Sequence, residues 1–175
     1  VLAQTWGDLE LLIVDDGSSD DSAGIAESYA AASPRVRVWR GGHRGVVAAR
    51  NLATRNARGR FIAYCDSDDL WHPEKVARQL AFMKACGSAM SATAFVRIDE
   101  EGKPISGVVP VPRQIDYGSL LATNHVCCAS VMYDTAALGK VYMQDYRESG
   151  RLPFYMRFGR MPLHEDYIAW ATILR

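Results

Sequence analysis

The chain has 175 residues, 49% of them apolar, which is enough to bury one substantial core but hardly two. Twenty basic residues balance twenty acidic residues, so no global field favours binding to nucleic acid or to an anionic membrane. No apolar run of about 18 or more residues and no signal peptide is visible, so we expect that this chain does not span a membrane. These features predict a single domain in which any recognition of an anion is local.

The first half of the chain alternates strands with helices, a pattern typical of an α/β fold built on a largely parallel sheet. The predicted strands cover 9–14, 36–39 and 60–65, and the predicted helices cover 20–32, 46–58 and 72–87. In the first of these helices we expect Ile25 and Tyr29 to lie on one face. Residues 1–6 read as the end of a helix.

After residue 87 the pattern changes to a predicted hairpin, with strands at 89–98 and 103–109 joined by a turn. A short helix is predicted at 116–122 and a buried strand at 126–133. We expect a long loop at 139–162 and a final helix that begins near residue 165.

The four cysteines follow neither the spacing of a secreted disulfide framework nor a C-x-x-C metal pattern. Cys127 and Cys128 are neighbours and are poorly placed to bond each other. We therefore expect reduced thiols and a cytoplasmic location. The inner face of the membrane is an alternative place for the protein, reached by peripheral association through parts not present in this sequence.

Three carboxylates, those of Asp66, Asp68 and Asp69, directly follow the predicted strand at 60–65. Carboxylates packed this closely raise each other's pKa, and a divalent cation that bridges them to a phosphate removes the penalty. A solvated acidic turn that starts the next helix is the alternative. Because the carboxyl ends of parallel strands meet in one crevice, we expect Asp15, Asp16 and the loop at 43–51 to lie beside this cluster. Together these residues predict a site for a nucleotide diphosphate.

Four segments, taken in order, resemble glycosyltransferase family 2, whose members have the GT-A fold. Residues 14–20 match V-D-D-G-S-x-D, and residues 43–51 match N-x-G-x-x-x-A-R-N with His43 in place of the asparagine. Residues 66–68 match D-x-D, and residues 165–170 match E-D-Y-x-x-W. The resemblance implies a three-layer GT-A fold with a mixed, mainly parallel central sheet. It also implies a nucleotide-binding half at 1–87 and an acceptor-binding half at 88–175.

The resemblance implies a metal-dependent inverting transferase that uses a nucleotide-diphosphate sugar, with UDP the expected nucleotide. Asp16 would hold the nucleotide, together with Asp15 and His43. Arg50 would lie near the base or the phosphates, and Asp66 would reach the ribose or the sugar. These five residues form the expected donor site.

The metal and the acceptor would be served by other residues of the same motifs. Asp68 would ligate Mn²⁺ or Mg²⁺ bound to the diphosphate, which offsets the charge that develops on the leaving group. Asp166 would be the ionised base that takes the proton of the acceptor hydroxyl, favoured by its place at a helix N-terminus. Glu165 and His164 are expected acceptor contacts. The acceptor would be a saccharide or a lipid-linked saccharide in the synthesis of a cell-surface polysaccharide.

Two other functions stay open at this point. A phospho-acceptor receiver domain also has a strand that ends in two aspartates, here Asp15 and Asp16, and a later strand that ends in one, here Asp66. It would leave the rest of the acidic cluster and the segment at 165–166 unexplained. A non-catalytic remnant that binds sugar nucleotides is the second alternative. It arises because the family's opening strand would precede Val1 and a further metal-binding histidine would follow Arg175, so we expect a chain incomplete at both ends.

Overall fold

A computed structural model describes residues 1–122, 126–144, 169, 170 and 173. The elements in chain order are β1 (Leu11–Asp15), α1 (Ser22–Ala32), β2 (Val36–Arg40), α2 (Val46–Asn56), β3 (Phe61–Ala63), α3 (Lys75–Cys86), β4 (Met90–Ser91), α4 (Tyr117–Ala122), a 3₁₀ turn (Cys128–Ser130), β5 (Met132–Asp134) and α5 (Thr135–Leu138). Among the helices of the described residues, none has the length and hydrophobicity that a membrane-spanning segment requires.

The described strands pair in both directions. β1 and β2 are parallel, with Leu11 opposite Val36 and Asp15 opposite Arg40. β5 lies between β3 and β4 and is antiparallel to both. The fold is therefore α/β with mixed strand pairing. The parallel pair brings the end of β1 and the end of β2 to the same edge, where the chain enters the loops at 16–21 and 41–45.

The main core lies behind β3 and β5 and fixes the end of β3. Tyr133 and Trp170 are fully buried, and the ring of Tyr64 lies 6.5 Å from the Tyr133 ring and 6.2 Å from the Trp170 ring, centroid to centroid. The hydroxyls of Tyr64 and Thr54 are 3.0 Å apart and share a hydrogen bond, which ties α2 to the end of β3. Aromatic pairs at such distances each contribute about 0.5–1.5 kcal/mol beyond the burial of their surface. The core thus fixes the residue two positions before Asp66.

The face of α1 that carries Ile25 and Tyr29 is not the buried one. Ala23 and Ala26 are buried, whereas Ile25 is 54% exposed and Tyr29 is 53% exposed. The helix packs on β1 and β2. Small alanine side chains on that face let the helix backbone lie close to the sheet. The large apolar residues are left on the solvent side.

Residues 1–6 do not end a helix, as the sequence had suggested, but form a turn. The side chain of Gln4 explains this conformation, because it satisfies polar groups at the start of α3. Its Nε2 donates to the carbonyl of His72 at 2.8 Å, and its Oε1 accepts from the backbone N–H of Val76 at 2.9 Å. The first backbone N–H groups of a helix have no partner inside the helix, so this contact replaces a missing bond.

The second half is less regular than the sequence predicted. The expected strand at 126–133 is a 3₁₀ turn followed by the three residues of β5. The expected hairpin has only the two residues of β4 and isolated antiparallel bridges, Phe95 to Val109 and Ile98 to Pro104. The apolar run at 126–133 is largely buried, as its composition indicated, but it does not form one continuous strand. In the hairpin region Val96, Ile105 and Val108 are exposed. Residues 139–144 have no regular structure, and residues 169, 170 and 173 are helical, as predicted; the rest of 139–168 lies outside the described residues.

Candidate active site

Asp16 holds the loop that follows β2. Its Oδ1 accepts hydrogen bonds from the backbone N–H groups of Gly42 at 3.2 Å and Arg44 at 3.1 Å, and its Oδ2 accepts one from Gly45 at 2.6 Å. These bonds, the one from Arg44 first, keep the pKa of Asp16 below its usual value. A carboxylate has about four acceptor positions, so one further donor can still bind at Oδ2. The loop leads directly into α2, and Asp16 therefore sets where that helix begins.

Asp15 closes the turn at the end of β1. Its carboxylate accepts from the backbone N–H of Gly17 at 3.4 Å and of Ser18 at 3.2 Å. The hydroxyl of Ser18 is the main reason that the pKa of Asp15 is lowered. Asp15 thus stabilises the turn at the end of β1, whereas Asp16 binds the loop at 41–45.

Gly17 is required by both its conformation and its surroundings. Its φ is +96°, and a Cβ atom there would overlap the imidazole ring of His43. His43 itself has a φ of 53°, which is unusual for a residue with a side chain. The exposed ring of His43 therefore lies directly over the turn that Asp15 closes.

α2 carries Arg50 to the end of β3. The Nη2 of Arg50 lies 2.6 Å from the Oδ1 of Asp66, and the two side chains are 14% and 35% exposed. A short, partly buried ion pair of this kind is stronger and better oriented than one on the surface. The two motifs at 43–51 and 66–68 are thus joined by a direct contact, with one edge of Asp66 open to solvent.

The acidic turn after β3 brings Asp66, Asp68 and Asp69 together. The backbone N–H of Asp69 donates to the carbonyl of Asp66 at 3.1 Å, which closes the turn. Burial raises the pKa of Asp69, and the negative charges of Asp66 and Asp68 raise it further. Asp68 is exposed, and its carboxylate accepts no hydrogen bond from any residue that the structure describes. The turn therefore has unbalanced negative charge and an oxygen ligand that is open to solvent.

This donor set fits a hard divalent cation shared with a ligand. Within the described ranges, no three His, Cys, Asp or Glu side chains form a complete metal site. Mg²⁺ is commonly bound by one or two carboxylates together with phosphates of the substrate, and Mn²⁺ accepts the same oxygen ligands. Asp68 would be the direct ligand, and a bound cation would relieve the repulsion that Asp69 experiences.

Three predicted residues, His164, Glu165 and Asp166, lie outside the described residues. The tryptophan that ends the same motif, Trp170, is described. It is fully buried against Tyr64, two residues before Asp66. The last residue of that motif therefore packs behind the acidic strand end.

Sequence reasoning did not identify two further residues near the site. Asn51 forms two hydrogen bonds to the main chain of Met143, and its place in the A-R-N run was the available signal. Lys75 is buried at the start of α3, 4.1 Å from the centroid of the Trp71 ring, where its Nζ donates to Gln79 at 3.0 Å. Nothing in the sequence distinguishes Lys75 from an exposed lysine.

Comparison with known proteins agrees with this arrangement. The family described as glycosyl transferase family 2 matches residues 1–140. A putative teichuronic acid biosynthesis glycosyltransferase from Bacillus subtilis, TuaG, is 32% identical over all of this chain and 64% of its own length. The Escherichia coli protein named UDP-Glc:alpha-D-GlcNAc-diphosphoundecaprenol beta-1,3-glucosyltransferase WfaP is 29% identical over 99% of this chain and 61% of its own length. The chain thus spans less than two thirds of either relative.

Solved structures show the same fold. The crystal structure of S. aureus TarS 1-349 in complex with UDP-GlcNAc matches with a TM-score of 0.62 and 22% identity, over 81% of this chain and 42% of that one. The α/β architecture with acidic strand ends is therefore that of the GT-A glycosyltransferases. On the family match, the chain belongs to glycosyl transferase family 2.

Proposed function

We propose that this chain is the donor-binding part of an inverting transferase that moves a sugar from a UDP-sugar to a hydroxyl of a saccharide or lipid-linked saccharide. The observation that carries the proposal is a continuous connection between strand ends. Asp16 fixes the loop before α2, and α2 carries Arg50 to Asp66. Family membership removes the receiver-domain alternative, because it accounts for both acidic strand ends.

The relatives support the nucleotide and the kind of product. WfaP is named for UDP-Glc and a diphosphoundecaprenol acceptor, TarS was crystallised with UDP-GlcNAc, and TuaG is named for teichuronic acid biosynthesis. We therefore propose a UDP-sugar donor and a role in making a cell-surface polysaccharide. The location of the reaction, on the cytoplasmic side of the membrane, stays a prediction.

The described residues suggest how the donor is bound. The remaining acceptor position on Asp16 suits an N–H group of the base, and His43 lies beside it over the turn. Asp66, held by Arg50, suits the hydroxyls of the ribose or the sugar. Asp68 would hold a divalent cation, Mn²⁺ or Mg²⁺, which supplies positive charge to the departing diphosphate.

Transfer with inversion also needs a base on the acceptor side. As the acceptor oxygen forms its bond to the anomeric carbon, the bond to the diphosphate breaks, and the hydroxyl proton passes to a carboxylate. We assign that carboxylate to Asp166, with Glu165 and His164 as acceptor contacts. The assignment is supported by Trp170, the last residue of this motif, which is buried against Tyr64, two positions before Asp66.

The first prediction tests this assignment in the full-length protein. Asp166→Asn should lower turnover of UDP-sugar by at least about a hundredfold, since general base catalysis contributes roughly that much. Binding of UDP, measured by calorimetry, should stay within about twofold of the wild-type value, because the base does not contact the nucleotide. Asp8→Asn, which changes an exposed carboxylate, is the control and should alter neither quantity. Unchanged turnover in Asp166→Asn would refute the assignment, and a wild-type protein that binds UDP without transferring sugar would be a binding module.

A further inference from the structure

Asn51 makes a two-bond contact with a segment far away in the sequence. Its Nδ2 donates to the carbonyl of Met143, and its Oδ1 accepts from the N–H of Met143, both at 2.8 Å. Residues 139–144 have no regular structure, so their backbone depends on such side-chain bonds. The amide of Asn51 thus pairs with one peptide position much as a neighbouring strand would.

The side chain of Met143 connects this contact to the candidate donor site. Met143 is 3% exposed, and its sulfur lies 3.9 Å from the Nη1 of Arg50. The Nη2 of the same guanidinium is bonded to Asp66. Asn51 and Arg50 are neighbours on α2. Met143 therefore contacts the same helix twice, through its main chain at Asn51 and through its side chain at Arg50.

We propose that Asn51 is a positioning residue for the donor. By fixing the main chain of Met143, it keeps the Met143 side chain packed against the Arg50 guanidinium and so holds the Asp66 carboxylate in the orientation that receives the donor. The inference rests on the proposed function, because it gives Asp66 the role of a donor contact. A purely structural Asn51 would stabilise the segment at 139–144 without acting through Asp66.

A double-mutant cycle separates these two roles. Calorimetry on the full-length protein with Mn²⁺ would first show which of UDP-glucose and UDP-N-acetylglucosamine binds wild type more tightly. The Kd of that ligand would then be measured for each variant. The variants are Asn51→Ala, Asp66→Asn and the two combined. Loss of two hydrogen bonds should weaken binding by roughly tenfold in Asn51→Ala, and by less than about twofold when Asp66 is already changed.

Asn56→Ala is the matched control, because Asn56 lies on the same helix and its Nδ2 donates only to the carbonyl of Leu52 among the described residues. It should leave Kd within about twofold of the wild-type value. Asn51→Ser replaces Asn51→Ala if the alanine variant does not fold.

Equal losses in the wild-type and Asp66→Asn backgrounds would overturn the inference, as would unchanged binding in a folded Asn51 variant. If the wild-type protein binds UDP and either of these outcomes is found for the Asn51 variants, this inference alone is contradicted. A wild-type protein that binds neither UDP nor a UDP-sugar overturns the proposed function, and the inference with it.

Discussion

The carboxyl ends of β1 and β3 both present aspartates, but they differ in how the negative charge is balanced. At β1, Asp16 accepts three backbone N–H bonds, and its pKa is lowered. At β3, the carboxylates crowd one another, the pKa of Asp69 is raised, and Asp68 is exposed. One acidic strand end is thus balanced by hydrogen bonds within the fold, whereas the negative charge of the other would, on the proposed function, be balanced by a cation bound with the ligand.

The largest effect is expected from Asp16→Ala. This change releases the loop at 41–45 and with it the start of α2, so the UDP binding seen with Mn²⁺ should be lost. The melting temperature should fall both with and without Mn²⁺. Calorimetry and thermal unfolding would measure the two effects. Asp99→Ala removes a carboxylate that accepts one backbone N–H bond in the 95–109 region, so it should lower the melting temperature alone. Retention of UDP binding in a folded Asp16→Ala variant would remove the contrast between the two strand ends.

The acidic turn after β3 leads into α3, whose first residue is the buried Lys75, and this lysine gives a prediction for pH. Burial lowers the pKa of Lys75 to about 8, from 10.5. Between these values the unfolded chain holds a proton that the folded chain has lost, so the free energy of unfolding should rise with pH across this window. The free energy of unfolding should increase by about 3 kcal/mol across the window. Below pH 8 Lys75 is protonated in the folded protein, and the full cost of burying its charge applies.

Denaturant titrations at several pH values would measure the gain as the difference between wild type and Lys75→Met, since groups that do not interact with Lys75 titrate equally in both. Cys65 and Cys127 do interact with Lys75, so both proteins would be measured in a Cys65→Ala, Cys127→Ala background. Lys84→Met, a change to an exposed lysine on the same helix, should follow the wild-type curve. Parallel curves for wild type and Lys75→Met would show that Lys75 is not desolvated.

A smaller effect is expected from Asp69→Asn. Because the folded pKa of Asp69 is raised, its ionised form destabilises the protein at neutral pH, and this cost disappears as pH falls through the folded pKa. The variant should therefore melt slightly higher than wild type at pH 7 in EDTA. The difference should shrink with UDP and Mn²⁺ present, because the cation offsets the same repulsion. Asp8→Asn, at an exposed position away from the cluster, should show no such difference, and a lower melting temperature for Asp69→Asn would contradict the account of crowding.

The sequence was informative where a local pattern decides the structure. The strands and helices from β1 to α3 lie within a few residues of their predicted bounds, because turn residues and the alternation of apolar runs define them. The motifs also identified Asp16, Arg50 and Asp66, which the fold connects through α2. Their assigned roles toward ligands stay predictions.

The remainder depended on tertiary contacts that no local pattern contains. Ala23 and Ile25 are both apolar residues of α1, and only the closeness of the sheet selects the smaller one for burial. Gln4 reaches α3 across 72 positions, and Asn51 reaches Met143 across 92. Such contacts become visible only when the chain is folded.

The central claim is that the end of β3 needs a cation to bind the diphosphate. Calorimetry of UDP on the full-length protein, with Mn²⁺ and then with EDTA, tests it in wild type and in Asp68→Asn. We predict tight binding by wild type only with Mn²⁺, and binding by Asp68→Asn that is weak and indifferent to the metal. Equal UDP affinity with Mn²⁺ and with EDTA in wild type, or a full Mn²⁺ effect in Asp68→Asn, would contradict the account.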